Sequence, residues 1–222
     1  QYGFVQGRNI QDCLFTASEC VNAMKRMVND GNMAVKIDIS KTFDTIRWSF
    51  LFTILRMHGF SQRFLDLFGS ILSSERLSIL VSGSPRGFLQ CSRGVRQGDP
   101  LFGMLFSFSE DYLSRCLIDH ENFGWYQQMR IARDLCAPSH LHYADDILLF
   151  GKASNATISC IRGIFSHYEE DAGQVINWRK FYVCFCDGVS ISRKNRIATK
   201  LGVKKGIPPF HIPKCTAFLG QS

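Results

Sequence analysis

Two short apolar runs, His140–Tyr143 and Ile147–Phe150, are separated only by Ala144-Asp145-Asp146. That spacing predicts an antiparallel hairpin with two carboxylates at its tip. A third carboxylate belongs to a strand far upstream. Over residues 33–38, Met33, Val35 and Ile37 alternate with Ala34, Lys36 and Asp38. This is the period-two pattern of a strand with one buried face, and it puts Asp38 at the strand's end on the less apolar face. If that strand lies beside the hairpin, three carboxylates converge, and their repulsion is costly unless cations are bound among them. Hard oxygen ligands on a rigid sheet suit two Mg²⁺ ions, which can activate an attacking hydroxyl and stabilise a leaving pyrophosphate. The Asp145-Asp146 pair alone reads more simply as turn chemistry, because Asp is favoured in turns.

The remaining elements follow from periodicity. Ile10, Leu14, Ala17, Val21, Met24 and Val28 draw one stripe down a helix over residues 10–28. Ser40 is a candidate cap for a helix carrying Phe43, Ile46, Phe50, Ile54 and Met57, stopped at Gly59. A helix over 61–73 follows. Leu77–Val81 and Gly87–Cys91 flank Ser82-Gly83-Ser84-Pro85 as a hairpin. A polar link from Arg93 to Pro100 leads into a long helix over 101–118, and residues 120–138 read as a loop with a short strand. Ile158, Ile161, Phe165, Tyr168 and Ala172 mark a helix that stops at Gly173. It is followed by a strand over 181–186, a basic helix over 193–201 and a Pro-rich link to Phe218. This order predicts an α+β fold: a split β-α-β antiparallel sheet with packed helices.

Charge is unevenly placed. After Asp187 there are seven Lys and Arg residues and no acidic one, whereas residues 1–187 carry 19 of each sign. A basic segment on a neutral body suits a polyanion such as nucleic acid, although a solvated basic helix has the same composition. No apolar run reaches the ~20 residues that a bilayer span needs, and Gln1–Ile10 lacks the zones of a secretory signal. The chain reads as soluble and intracellular, with no membrane partner. Its nine cysteines are scattered without a C-x-x-C pair, which suits reduced thiols, and Cys184 and Cys186 read as small strand residues. His140 and His142 likewise read as strand residues, since Mg²⁺ prefers oxygen.

Five groups of residues occur in a fixed order: Lys36–Asp44, Arg93–Leu101, Tyr143–Asp146, Gly173–Lys180 and Phe218–Gly220. Together they resemble the successive motifs of a reverse transcriptase palm, and most of all the LINE-type, non-LTR retrotransposon enzymes of plants. Gly3–Ile10 and Trp48–Leu51 are similar to that group's fingers and post-strand helix. The resemblance implies an RNA-directed DNA polymerase that adds deoxynucleotides to a primer 3′-hydroxyl on an RNA template. Asp38, Asp145 and Asp146 match its catalytic and metal-binding carboxylates, with the Ile39 carbonyl as a further ligand to two Mg²⁺, for which Mn²⁺ can substitute. Lys180 matches a lysine that neutralises or protonates the pyrophosphate. Phe43 matches an aromatic crowding the sugar 2′ position, although its spacing also makes it a core residue of its helix. Gln97 and Gly98 match the segment beside the incoming nucleotide, and Arg8 a residue holding the triphosphate.

The implied partners are an RNA template, a DNA primer, dNTPs and the rest of a retrotransposon polyprotein. Copying into chromosomal DNA implies the nucleus. The expected organisation is partial fingers over 1–32 and a palm over 33–222 with a fingers insertion around 74–96. Thumb, endonuclease and zinc knuckle are expected to be absent, as in a truncated element. The resemblance departs at Phe102-Gly103, where Ser-Pro is usual, and at Phe181, where a small hydroxyl residue is usual. A catalytically silent remnant that binds nucleic acid through its basic surface is the alternative.

Overall fold

The computed structural model describes residues 7–26, 31–96, 100–143 and 146–202. In chain order these form α1 (Ile10–Arg26), β1 (Asn32–Ser40), α2 (Thr42–Thr45), α3 (Trp48–Met57), α4 (Gln62–Ser74), β2 (Arg76–Val81), β3 (Ser84–Gln90) and α5 (Pro100–Asn122). The second half adds β4 (Arg130–Ala132), β5 (Leu135–Cys136), β6 (His140–Tyr143), β7 (Asp146–Lys152), α6 (Asn155–Ala172), β8 (Val175–Ile176), β9 (Tyr182–Phe185) and α7 (Ile191–Leu201).

β1 is the axis of the sheet. The expected alternation holds: Met33, Val35, Ile37 and Ile39 are buried, whereas Lys36, Asp38 and Ser40 are partly exposed. β7 pairs antiparallel along one side of β1, and β6 pairs with β7. The other side of β1 is shared, with β9 pairing over Met33–Lys36 and β8 over Ile39–Ser40. The fold is thus the α+β arrangement that the element order predicts. The strand runs two residues further than its apolar pattern, because β8 supplies partners for Ile39 and Ser40. β8 itself, two residues long, was invisible to periodicity.

Registered partners share a face, so Ile37, Ile147 and His142 lie on one side of the sheet and Asp38, Asp146 and Tyr143 on the other. The first side meets α5 and α6, since His142 faces Glu110 and Glu110 in turn bonds Tyr168. α1 packs on β1, β4 and β6. Its Cys13 is buried and close enough to Asp146 for their charges to interact, which sets α1 on the carboxylate side.

Two local expectations change. The single helix capped at Ser40 is instead α2 and α3, broken at Ile46 and Arg47, both extended with ψ 132°. Tertiary hydrogen bonds replace the helical ones there: Gly94 N–H donates to Ile46 O at 2.8 Å, and Arg47 N–H to Ala172 O at 2.8 Å. In the β2–β3 hairpin the turn is Ser82-Gly83, with φ 51° and 77°, the two positive values of a type I′ turn. Pro85 therefore sits in β3 opposite Leu80. The other helix ends follow the expected chemistry, with Ser61, Ser154 and Ser190 side chains accepting from Phe64, Thr157 and Arg193 N–H.

A polar cluster is sealed beneath the sheet. His142 Nδ1 stands 3.2 Å from Glu110 Oε2, near but out of hydrogen-bond alignment, and Tyr168 Oη donates to Glu110 Oε1 at 3.1 Å. His140 is bracketed by the hydroxyls of Ser114, at 2.6 Å, and Ser139, at 3.0 Å. Burial lifts the Glu110 carboxyl from 4.5 to about 8 and lowers both imidazoles from 6.5 to about 3. At neutral pH the acid keeps its proton and the imidazoles are uncharged. The raised Glu110 value makes stability fall as pH rises from about 4.5 to 8, and the lowered histidines make it fall as pH drops below 6.5. Glu110→Gln, a permanent mimic of the protonated acid, is expected to flatten the alkaline limb. Urea unfolding at pH 5 and pH 9 should show wild type losing on the order of 3 kcal/mol more than the variant between the two.

Candidate active site

Asp38 lies two residues inside β1, and Asp146 is the first residue of β7; the ladder sets them directly opposite each other. Asp146 is therefore a strand residue and not a bare turn residue. Each carboxylate is about a quarter exposed and meets an ammonium. Lys36 Nζ is 2.8 Å from Asp146 Oδ1, a diagonal pair between neighbouring strands, and Lys180 Nζ is 3.1 Å from Asp38 Oδ2. Two carboxylates side by side repel, and these cations offset that repulsion.

Lys180 is placed by backbone bonds. Asn177 N–H donates to Asp38 O at 3.0 Å, and Lys180 N–H donates to Asn177 O at 2.9 Å, closing a 3-10 turn over Trp178–Lys180. Upstream, the buried Gln174 donates its amide to Thr42 O at 2.9 Å. Gly173, at φ +70°, packs on Arg47, where a Cβ would meet Cγ at 2.5 Å. The whole Gly173–Lys180 segment is thus wound onto the end of β1. Phe181, bulky where the resemblance expects a small residue, is buried and stacks on Trp178 with centroids 4.7 Å apart. Its volume goes into the core and leaves the carboxylates clear. Likewise α5 begins at Pro100, so the helix keeps a first-turn proline despite Phe102-Gly103.

Phe43 sits on α2, half-buried, its ring 4.9 Å from that of Phe106 on α5. The Arg93–Arg96 link is pinned to α2 and α3: Val95 N–H donates to Phe43 O at 2.6 Å, and Trp48 Nε1–H to Gly94 O at 2.7 Å. Gly94 has φ +81°, and a Cβ there would stand 2.6 Å from Asp44 O. Only glycine allows this approach. The Ile39 carbonyl accepts the Thr42 hydroxyl at 3.0 Å, which engages one of its lone pairs. Arg8 is exposed just ahead of α1. Asp145, Gln97, Gly98 and the Phe218–Gly220 group lie outside the described residues.

Among the described residues no three His, Cys, Asp or Glu side chains form a metal cluster. Asp38 and Asp146 are nevertheless a matched, partly exposed pair of hard oxygen donors already holding positive charge, so the donor set fits a divalent ion. His140 and His142 face away from them, as strand residues. Lys36 and Gln174 had no assigned role in the sequence; Lys36 was marked only by sharing Asp38's face, and Gln174 by nothing that periodicity reads.

An antiparallel sheet with helices packed on it, and acidic residues registered on its central strands beside a tethered lysine, defines a palm-type fold. Residues 1–221 match the reverse transcriptase (RNA-dependent DNA polymerase) family, and the chain belongs to it. It is 29% identical over 126 residues to the Pol polyprotein of the type-1 retrotransposable element R2 of Popillia japonica. This match covers 57% of this chain and 20% of that protein. The transposon TX1 149 kDa protein of Xenopus laevis is 27% identical over 146 residues, 65% of this chain and 11% of its own length. The chain thus spans a fifth or less of these curated relatives. Apo telomerase from Candida tropicalis shares the fold, with TM-score 0.58 and 14% identity over 82% of this chain and 36% of that one.

Gly94→Ala, by driving a Cβ into Asp44 O at a positive φ, is expected to cost about 2–4 kcal/mol, measured by urea unfolding. An unchanged midpoint would show that the link is not held against α2.

Proposed function

We propose that this domain carries out RNA-templated DNA synthesis, with Asp38, Asp145 and Asp146 as its metal-binding carboxylates. The observation that carries this reading is the registered Asp38–Asp146 pair with Lys180 tethered to Asp38. Two Mg²⁺ ions, replaceable by Mn²⁺ and assisted by the Ile39 carbonyl, would supply activation of the primer 3′-hydroxyl and charge compensation of the pyrophosphate. Lys180, 63% exposed, held by a single tight turn and paired with Asp38, would neutralise or protonate that leaving group. Phe43 rests one flank on Phe106, and its ring would act as a steric gate against a 2′-hydroxyl. Gln97 and Gly98 continue the link that Gly94 and Val95 anchor to Phe43's helix, and they would line the nucleotide and template base. Arg8 would steady the triphosphate.

The R2 and TX1 likenesses support a non-LTR retrotransposon lineage, and the ordered motifs favour within it the LINE type of plants. RNA template, DNA primer and dNTPs are then the substrates, the longer polyprotein the physical context, and the nucleus the site of action. No helix among the described residues is long and apolar enough to cross a membrane.

Primer extension on an RNA template annealed to a DNA primer, with Mg²⁺ and dNTPs, tests the reading. Wild type should extend, and Asp145→Asn should fall by at least about 10³-fold. If neither extends while wild type still binds primer–template in a salt-sensitive way, the domain is a nucleic-acid binder and the proposal fails. In the same assay Phe43→Ala should raise ribonucleotide use relative to deoxynucleotide use, on the order of tenfold or more.

A further inference from the structure

At the opposite end of β1 from Asp38 lies a cavity of about 380 Å³, lined by Asn32, Gln127, Gln128, Arg130, Cys136 and Lys152. It is built from separate stretches of chain locked together by backbone bonds. Asn32 and Lys152 are register partners at the end of the β1–β7 ladder. Lys152 N–H donates to Gln127 O at 2.9 Å, Gln128 bridges to Gly151, and Arg130 pairs with Cys136 in the β4–β5 ribbon.

Asn32 is the distinctive residue. It is 1% exposed, yet its side-chain Nδ2 has no hydrogen-bond partner. Its backbone is pinned, with Asn32 N–H donating to Cys186 Sγ at 3.2 Å and Cys186 N–H donating back to Asn32 O at 3.0 Å. A buried donor left unmade costs about 1–3 kcal/mol, so a wall that keeps one is poised for an acceptor. The other lining side chains point to the kind of acceptor. Arg130 and Lys152 bring two positive charges and take part in no ion pair among the described residues, and the lining includes no carboxylate. Gln128 gives its amide to Glu121 Oε1, so the donors left for the space are those of Asn32, Gln127, Arg130 and Lys152, which match an anion with several acceptor oxygens.

We propose that this cavity binds a phosphoryl group. Six residue steps along the strand separate Asn32 from Asp38, about 20 Å at ~3.3 Å per step, so a phosphate here is not one undergoing reaction at the carboxylates. The same chemistry is offered by a small phosphorylated molecule and by the backbone of an RNA strand.

Equilibrium dialysis of the full chain against radiolabelled inorganic phosphate, at fixed ionic strength with chloride, tests the site. Wild type should bind one phosphate, and Lys152→Glu and Arg130→Glu should each weaken binding at least about tenfold. Both side chains reach solvent, and circular dichroism melting verifies that the variants fold. Asn32→Asp, which puts a carboxylate oxygen where the orphan donor stands, should abolish binding. Competition by a ten-nucleotide RNA would assign the site to a nucleic-acid backbone; competition only by a mononucleotide would assign it to a small ligand. Wild type binding no phosphate, or folded charge-reversal variants binding it as tightly as wild type, would overturn the proposal and leave a hydrated cavity whose amide is met by water.

Discussion

The antiparallel ladder between β1 and β7 runs from Asn32–Lys152 to Asp38–Asp146 without a register shift. Because side chains alternate, a slip of one residue would turn Asp146 to the face that His142 and Ile147 occupy, and would bring Ile147 opposite Asp38. The register is held from both sides. Ile37, Ile147, Leu149 and Phe150 are buried among fitted neighbours on the two faces, so slippage would break their packing, while Glu110, bonded to Tyr168, stands beside His142 from below. The Tyr168–Glu110 hydrogen bond ties α6 to α5 beneath β6, with uncharged His142 packed against Glu110.

The rest of the site hangs from this ladder. β8 and the turn after it hydrogen-bond to the last residues of β1 and deliver Lys180 to Asp38. α2, which follows β1 directly, carries Phe43 and receives the Arg93–Arg96 link through Gly94 and Val95. Three of the ordered sequence groups, far apart in the chain, therefore meet at one strand end through backbone hydrogen bonds. Lys36 and Lys180 hold positive charge against the carboxylates, which lets two acids stand side by side on neighbouring strands. The ladder also sets the distance between its two ends, the carboxylates at one and the Asn32–Lys152 cavity at the other.

The alternation of β1 was legible because that strand has one less apolar face, and the hairpin of β6 and β7 because two apolar runs flank a turn, whereas the pairing of β1 with that hairpin stood only as a condition until the ordered motifs supplied it. The basic helix was equally readable, although its Ser190 cap was not marked. What escaped has a common cause in tertiary hydrogen bonding. The break between α2 and α3 is invisible to a helical stripe that runs through Phe43, Ile46 and Phe50, because it is made by Gly94 and Ala172 from elsewhere in the chain. β8 is too short for a period. The Asn32 cavity draws on residues from β1, β4, β5, β7 and the 127–128 segment, none of them in a recognisable group. The motifs supplied what periodicity could not, marking Lys180 as a functional residue when an isolated lysine reads as solvated surface.

The central claim is that the registered carboxylates form a cation site. Electron paramagnetic resonance of Mn²⁺ titrated into the protein, with no nucleic acid or nucleotide present, tests it without relying on turnover. Wild type should take up Mn²⁺, and Asp38→Asn should weaken that uptake at least about tenfold while keeping the wild-type melting curve. Equal Mn²⁺ uptake by wild type and Asp38→Asn would contradict the account, leaving the Asp38–Asp146 pair as a structural ion-pair network with Lys36 and Lys180.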